Sequence, residues 1–474
     1  MASAPIAFRT NQSKYAYQGQ TQLLNCYAEA QGTDAKSPVA VVPCPGMTLF
    51  ASITTTACRG AIYLPDLDKA YSVHQNSVYK ITYDGTSATV TRIGVIPGSD
   101  IVQISRNQAD PVQISIHCEE GEFYIENDRV KIVSDPDATL EDCVSQDHAG
   151  GYTAYALRNG KWYISAINDC SDISGLDFTT AEQSAGPVRR IVADGDLFVC
   201  KSDEIEQYRN TGNADFPFEL MSPVIKKGLL AGDAVVKFDN TLVFPGTDNI
   251  VYRIVGTGQV KRISDHGVER KIENDADPES IHGSAFSGEG HSFYALTGTD
   301  WTRCYDAATG FWHSRESYGL DRWRGRFPFR AWGKWLVCDE LTGNLYELDK
   351  DSFVEGDLPL VWGMDSPTLQ SPTGAGIIDW VRFDVAVGNG ATLATAQGYD
   401  PLMMFDWSVD GGNTWKGHRQ IKLGKRGEFM TKARTRRLGR FEDKGIVFRI
   451  RVSDPVIRSI VAVEVGMRPI VLNK

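Results

Sequence analysis

Residues able to do chemistry are present, but not in patterns that commit them to it. Three acid–histidine neighbours stand out: His117 with Glu119, Asp147 with His148, and Asp265 with His266. Such pairs can move protons or hold a cation, because imidazole titrates near neutral pH and both groups ligate divalent metals. None sits in an HxxxH or DxDxDG spacing, so polar turns and surface explain them better. The chain has no GxSxG elbow, no P-loop and no GxGxxG between a strand and a helix. Nine cysteines, at 26, 44, 58, 118, 143, 170, 200, 304 and 338, are scattered and never form a CxxC pair. They read as reduced, mostly buried thiols of a protein made in a cytosol, with no zinc site, no cofactor and no catalytic residue expected.

The stretch SVDGGNTW, Ser408 to Trp415, resembles an Asp-box, with Ser408, Asp410, Gly412, Thr414 and Trp415 at the matching places. In that motif the aspartate accepts bonds from turn amides and the tryptophan packs beneath, so its chemistry is structural. A sialidase-like glycosidase would carry several boxes on successive blades, an arginine triad and a Tyr/Glu pair; here one box appears. Trp301, Trp312, Trp323, Trp332 and Trp335 could stack on sugars. Beside Leu296, Phe311 and Phe329 they are better read as packing.

A basic segment runs from Lys422 to Arg451, with 11 Lys and Arg against Glu428, Glu442 and Asp443. Its charge of +8 leaves -19 on the rest of a chain whose formal net charge is -11. That asymmetry points to contact with something acidic, either DNA or a neighbouring subunit, and Lys432, Arg434, Arg436, Arg437 and Arg440 are the candidate contacts. Protein is favoured over DNA, because the overall acidity argues against gripping phosphates over most of the surface. The plain alternative is a strand pair with arginines on its solvated face, since Arg449 and Arg451 alternate with Phe448 and Ile450.

The elements that must position these residues read as strands. Apolar positions alternate in short runs such as AYSVHQNSVYKITYDG and KWLVCDELTGNLYELD, each ending at Gly, Asp or Asn. Helical periodicity is hard to find. Units begin near Cys58, Ile101, Ser145, Pro187, Gly228, Ile281 and Trp323, spaced 41 to 53 residues apart. This is close to the ~40–45 residues of a four-stranded propeller blade. The expectation is all-β: a β-propeller of six or seven blades over residues 58–354 and a sandwich-like β domain over 355–474. Residues 1–57, with Pro43, Pro45 and Gly46, are expected to form an arm or strap closing the propeller. The N-terminus lacks an apolar core of signal-peptide length, and no window reaches the ~18 apolar residues of a membrane helix, so a soluble protein outside the secretory route is expected.

Collinear segments carry a resemblance to a family. Asn25, Tyr27 and the Pro-Gly of PCPGMTLF come first, followed by RNGKWYIS from Arg158 and DLFVCKSDEIEQYRNTGN from Asp196. Then come IKKGLLAG from Ile225, YRIVGTGQVKRIS from Tyr252, WRGRFPF, NLYELD, and the Arg-rich RRLGRFEDKGIVFRIRVSDPV. In this order they resemble the packaged-DNA stabilisation proteins, or tail nozzles, of short-tailed phages. The resemblance implies a structural, non-enzymatic virion subunit made in the host cytoplasm. It implies a homohexameric ring beneath the portal-adaptor ring, in series with a needle or plug and near spikes or fibres. Double-stranded DNA would pass through its channel without sequence-specific binding. Two other readings stay open: a glycan-binding or glycan-cleaving propeller, and a cellular propeller scaffold.

Overall fold

A computed structural model describes residues 2–15, 19–32, 34–134 and 138–471. Its strands form seven antiparallel blades in a ring and a two-sheet sandwich. The innermost strands of the blades start at Cys58, Gln103, Cys143, Val188, Val236, His282 and Gly325. Six of these lie within two residues of the unit starts read from the sequence. The exception is Val236, against an expected Gly228, because this stretch is still tied to the preceding blade: Ile225 bridges to Ile205, and Leu229 N–H donates to Lys201 O.

Local chemistry sets the hairpins. In blade 2, Gln113–Cys118 is buried along its whole length and pairs with Gly121–Glu126. The next turn places both Asn127 and Asp128 at positive φ, 51° and 59°. Two such residues are what a tight hairpin matching strand twist requires, and Asn and Asp tolerate that region better than most. One α-helix, His266–Glu273, lies between blades 5 and 6, and Asp265 caps it by accepting from Gly267 and Val268 N–H. This insertion lengthens the fifth spacing, from Gly228 to Ile281, beyond a plain blade.

Packing is distributed around the ring. Each seam has its own apolar cluster: Tyr71, Val73, Ile114 and Ile116 between blades 1 and 2, for example, and Phe238, Val243, Tyr294 and Trp312 between 5 and 6. The largest cluster lies between the sandwich sheets, with Trp362, Phe383, Phe405, Phe448 and Ile450 fully buried.

The N-terminal segment is woven through all of this. Gly46–Thr54 pairs with Gly343–Asp349 and supplies the fourth strand of blade 7, beyond which Val354–Glu355 and Leu358–Pro359 extend the sheet. Gln20–Leu24 joins one sandwich sheet and touches blade 6 at Leu24 and Ser314. Cys26–Ala30 and Val39–Pro43 extend the other sheet. So Gln20–Leu24, Cys26–Ala30, Val39–Pro43 and Gly46–Thr54 contribute strands to both units.

Asn25 sits at the crossing, 1% exposed and at φ 52°. Its Nδ2 donates to the carbonyls of Glu316 (2.8 Å) and Val361 (2.7 Å), and its Oδ1 accepts from Glu316 N–H at 2.9 Å. The side chain thereby ties the end of blade 6 to the chain entering the sandwich. Asn25→Ala removes all three bonds and leaves a non-Gly residue at positive φ without its local compensation. The expected loss is about 3 kcal/mol, read as a lower urea midpoint at unchanged slope. An unchanged midpoint would show that these bonds do not hold the joint.

Candidate functional site

The Asp-box-like hairpin joins Leu402–Ser408 to Lys416–Lys422. Ser408 Oγ donates to Asp410 Oδ1 at 2.6 Å and accepts from Gly412 N–H at 2.8 Å. Thr414 donates to Asp410 from its N–H (2.9 Å) and its hydroxyl (2.6 Å). Gly411 and Gly412, at φ 80° and 96°, supply the left-handed turn that lets these donors converge. Burial acts to raise the Asp410 carboxyl, but the bonds from Ser408, Thr414 and Asn413 outweigh it and hold the group well below the usual carboxylate range. Both oxygens are occupied within the turn. Trp415 is half-buried, with the Arg449 guanidinium 3.6 Å from its ring centroid. Arg449 also grips Asp365 from Nε (3.0 Å) and Nη2 (2.7 Å). The deeply packed indole on this sheet is Trp407 instead.

The basic segment contributes Arg434–Phe441, the edge strand of the six-stranded sandwich sheet. Ala433, Leu438 and Phe441 turn inward, while Lys432, Arg434, Arg436, Arg437 and Arg440 are exposed. A bulge opposite Ile378 and Trp380 puts Arg437 at φ 60°. Arg419, from the edge of the facing sheet, donates to the carbonyls of Arg436 and Arg437 and to Thr435 Oγ1 at 2.7 Å. These edge acceptors are therefore satisfied from within, which blunts the edge. Arg440 pairs with Glu442 at 2.8 Å. Among the described residues, Lys432, Arg434, Arg436 and Arg437 have no carboxylate within ion-pair distance. Four like charges thus stand together in solvent on one edge of the sandwich.

The other candidates are placed elsewhere. Asp265 is a helix cap, as described. Asp147 accepts from Ala193 N–H at 2.9 Å and meets Lys237 at 3.4 Å. Glu119 accepts from the Ser99 and Asp100 amides, and His117 pairs instead with Glu122 at 2.5 Å. Trp301, Trp312 and Trp323 are no more than 2% exposed, so they pack seams and offer no sugar platform. Trp332 lies against Phe50 and Tyr63 at the junction of blades 7 and 1. All nine cysteines are free, and eight are buried. Sequence spacing missed one juxtaposition, that of His117 and Glu122 with Cys143, because Cys143 comes from the next blade.

A seven-bladed propeller continued into a sandwich, with its basic edge strand facing outward, defines the architecture. Residues 5–353 match the family described as bacteriophage P22 Gp10, beta-propeller, and residues 361–468 match bacteriophage P22 Gp10, beta-sandwich. The chain belongs to this family of phage packaged-DNA stabilisation proteins, and is a structural component of the virion. None of the curated proteins matches it. Among solved structures, the WD40 propeller of Doa1 aligns at 11% identity and TM-score 0.41, over 64% of this chain and 96% of that one. The propeller domain of Cps50 (Swd1) from Myceliophteria thermophila aligns at 10% and 0.43, over 64% and 98%. YCF48 from Cyanidioschyzon merolae aligns at 9% and 0.41, over 64% and 98%. Among the described residues, no helix is long and apolar enough to cross a membrane.

Asp410→Ala should destabilise the sandwich by about 1–2 kcal/mol at neutral pH, through loss of the turn bonds. Because the folded carboxyl is depressed, its contribution is present above the unfolded value of about 3.9 and fades as pH falls further. Wild type and variant should therefore converge in acid. A pH-independent gap between their melting temperatures would assign the effect to shape instead of charge.

Proposed function

We propose that the protein is a tail nozzle subunit: a non-enzymatic building block of a homohexameric ring beneath the portal-adaptor ring, retaining the packaged genome and forming part of the ejection conduit. The observation that carries this reading is the match to one phage family through both units in collinear order. The charge distribution supports it. With -19 outside the basic segment, a channel wall of mostly acidic character would let DNA slide, since lysines and arginines that displaced counterions would hold it back. A needle or plug would close the channel in series, and spikes or fibres would attach to the ring. Synthesis in the host cytoplasm suits nine free thiols.

The exposed arginines suit a subunit or adaptor interface better than DNA, because they occupy one short edge strand and not a continuous groove. Rings are built by repeating one heterologous contact, so a basic edge on each copy needs an acidic face on its neighbour. Negative-stain microscopy of the protein alone and mixed with a portal-adaptor complex tests the reading. A six-fold ring added beneath the portal is expected; a protein that never joins the complex would overturn it. Arg436→Glu with Arg437→Glu should leave the monomer's melting temperature within the change expected of about 0.5 kcal/mol, yet prevent stable filled particles. Normal particle yield would remove these residues from the interface.

A further inference from the structure

We propose that His117, Glu122 and Cys143 form a binding site for one borderline-soft divalent cation, zinc by its chemistry, at the seam between blades 2 and 3. His117 and Glu122 are direct cross-strand partners on blade 2, and Cys143 opens the innermost strand of blade 3. One ligand atom from each lies within 4.8 Å of the others. Bonds of ~2.0–2.3 Å to nitrogen, oxygen and sulfur place the donors of a tetrahedral site somewhat closer than that, within reach of small rotamer changes.

A second observation points to a ligand independently. Glu122 is 4% exposed, and only one of its oxygens is engaged, accepting from His117 Nδ1 at 2.5 Å. Its Oε2 is buried without a hydrogen-bond partner. A buried carboxylate oxygen left unpaired is costly, and a cation would satisfy it. The charges also balance. A neutral imidazole, a carboxylate and a thiolate neutralise a dication, and binding releases the Cys143 proton to water.

Burial first, and then the charge of Glu122, push the Cys143 thiol well above its usual value. Gln103, His117, Glu119 and Cys143 line a cavity of about 580 Å³, which provides access and room for a water as fourth ligand. The Cys143 thiol lies 3.5 Å from Ser145 O and faces the Glu122 carboxylate and the Ala156 backbone. Ligands drawn from two blades would make the ion a clamp across one seam of the ring.

The test uses the full chain, treated with chelator and titrated with Co²⁺ and then Zn²⁺. One cobalt per chain is expected, with a thiolate-to-cobalt charge-transfer band that Zn²⁺ displaces and with a rise in Tm on zinc addition. Cys143→Ser should abolish the band, whereas Cys170→Ser should keep it. Glu122→Gln, nearly isosteric and checked for native circular dichroism, should weaken binding by more than about tenfold. Absence of stoichiometric cobalt binding, a band surviving in Cys143→Ser, or full affinity in a folded Glu122→Gln would each overturn the site.

Discussion

A ring of sheets is stable only if its last blade is completed, and here the completing strand comes from the far end of the chain. Residues 325–349 supply three strands of blade 7, whose third would present an open edge to solvent. Gly46–Thr54 pairs with that edge and packs Met47 and Ala51 into the clusters on either side of the blade. Gly46 itself can have no side chain: a Cβ would stand 2.5 Å from the carbonyl oxygens of Ser352 and Val354. The chain closing the ring is thus clamped from both sides, and the seams that precede it depend on that closure.

The same segment makes the propeller and the sandwich one object. Before reaching blade 7 it contributes Gln20–Leu24 to one sandwich sheet and Cys26–Ala30 and Val39–Pro43 to the other, and Asn25 fixes the crossover to the blade 6 terminus and to Val361. One sheet is continuous from blade 6 through Gln20–Leu24 into the sandwich. A flexible linker would have allowed the two units to move independently. Shared strands and buried polar bonds instead tie the two units together.

Polar chemistry is spent on holding blades together. Gln103, Ser145 and Gln146 form a buried network across the seam of blades 2 and 3, and Arg324 meets Asp339 inside blade 7. Paired buried charges contribute little net stability, but leaving either partner alone is costly, so they enforce one register. Among the acidic residues, Asp265 caps a helix and Asp410 holds a turn.

The chain's local pattern determined a good deal. Period-two alternation, turn residues and a repeat of blade length were readable, because each blade is a local meander whose strands follow one another in sequence. The Ser408–Trp415 turn and the Arg434–Phe441 strand are local elements of the same kind. What tertiary structure alone decided is what joins distant parts of the chain. The exact source of blade 7's fourth strand, the passage of residues 20–43 through both sandwich sheets, and the meeting of His117 and Glu122 with Cys143 depend on partners whose identity no local period encodes. The helix at His266–Glu273 escaped notice because eight residues are too few to establish a period against the surrounding strands. Local hydrogen-bond geometry writes itself into a sequence, whereas ring closure is a boundary condition met only when the whole chain has folded.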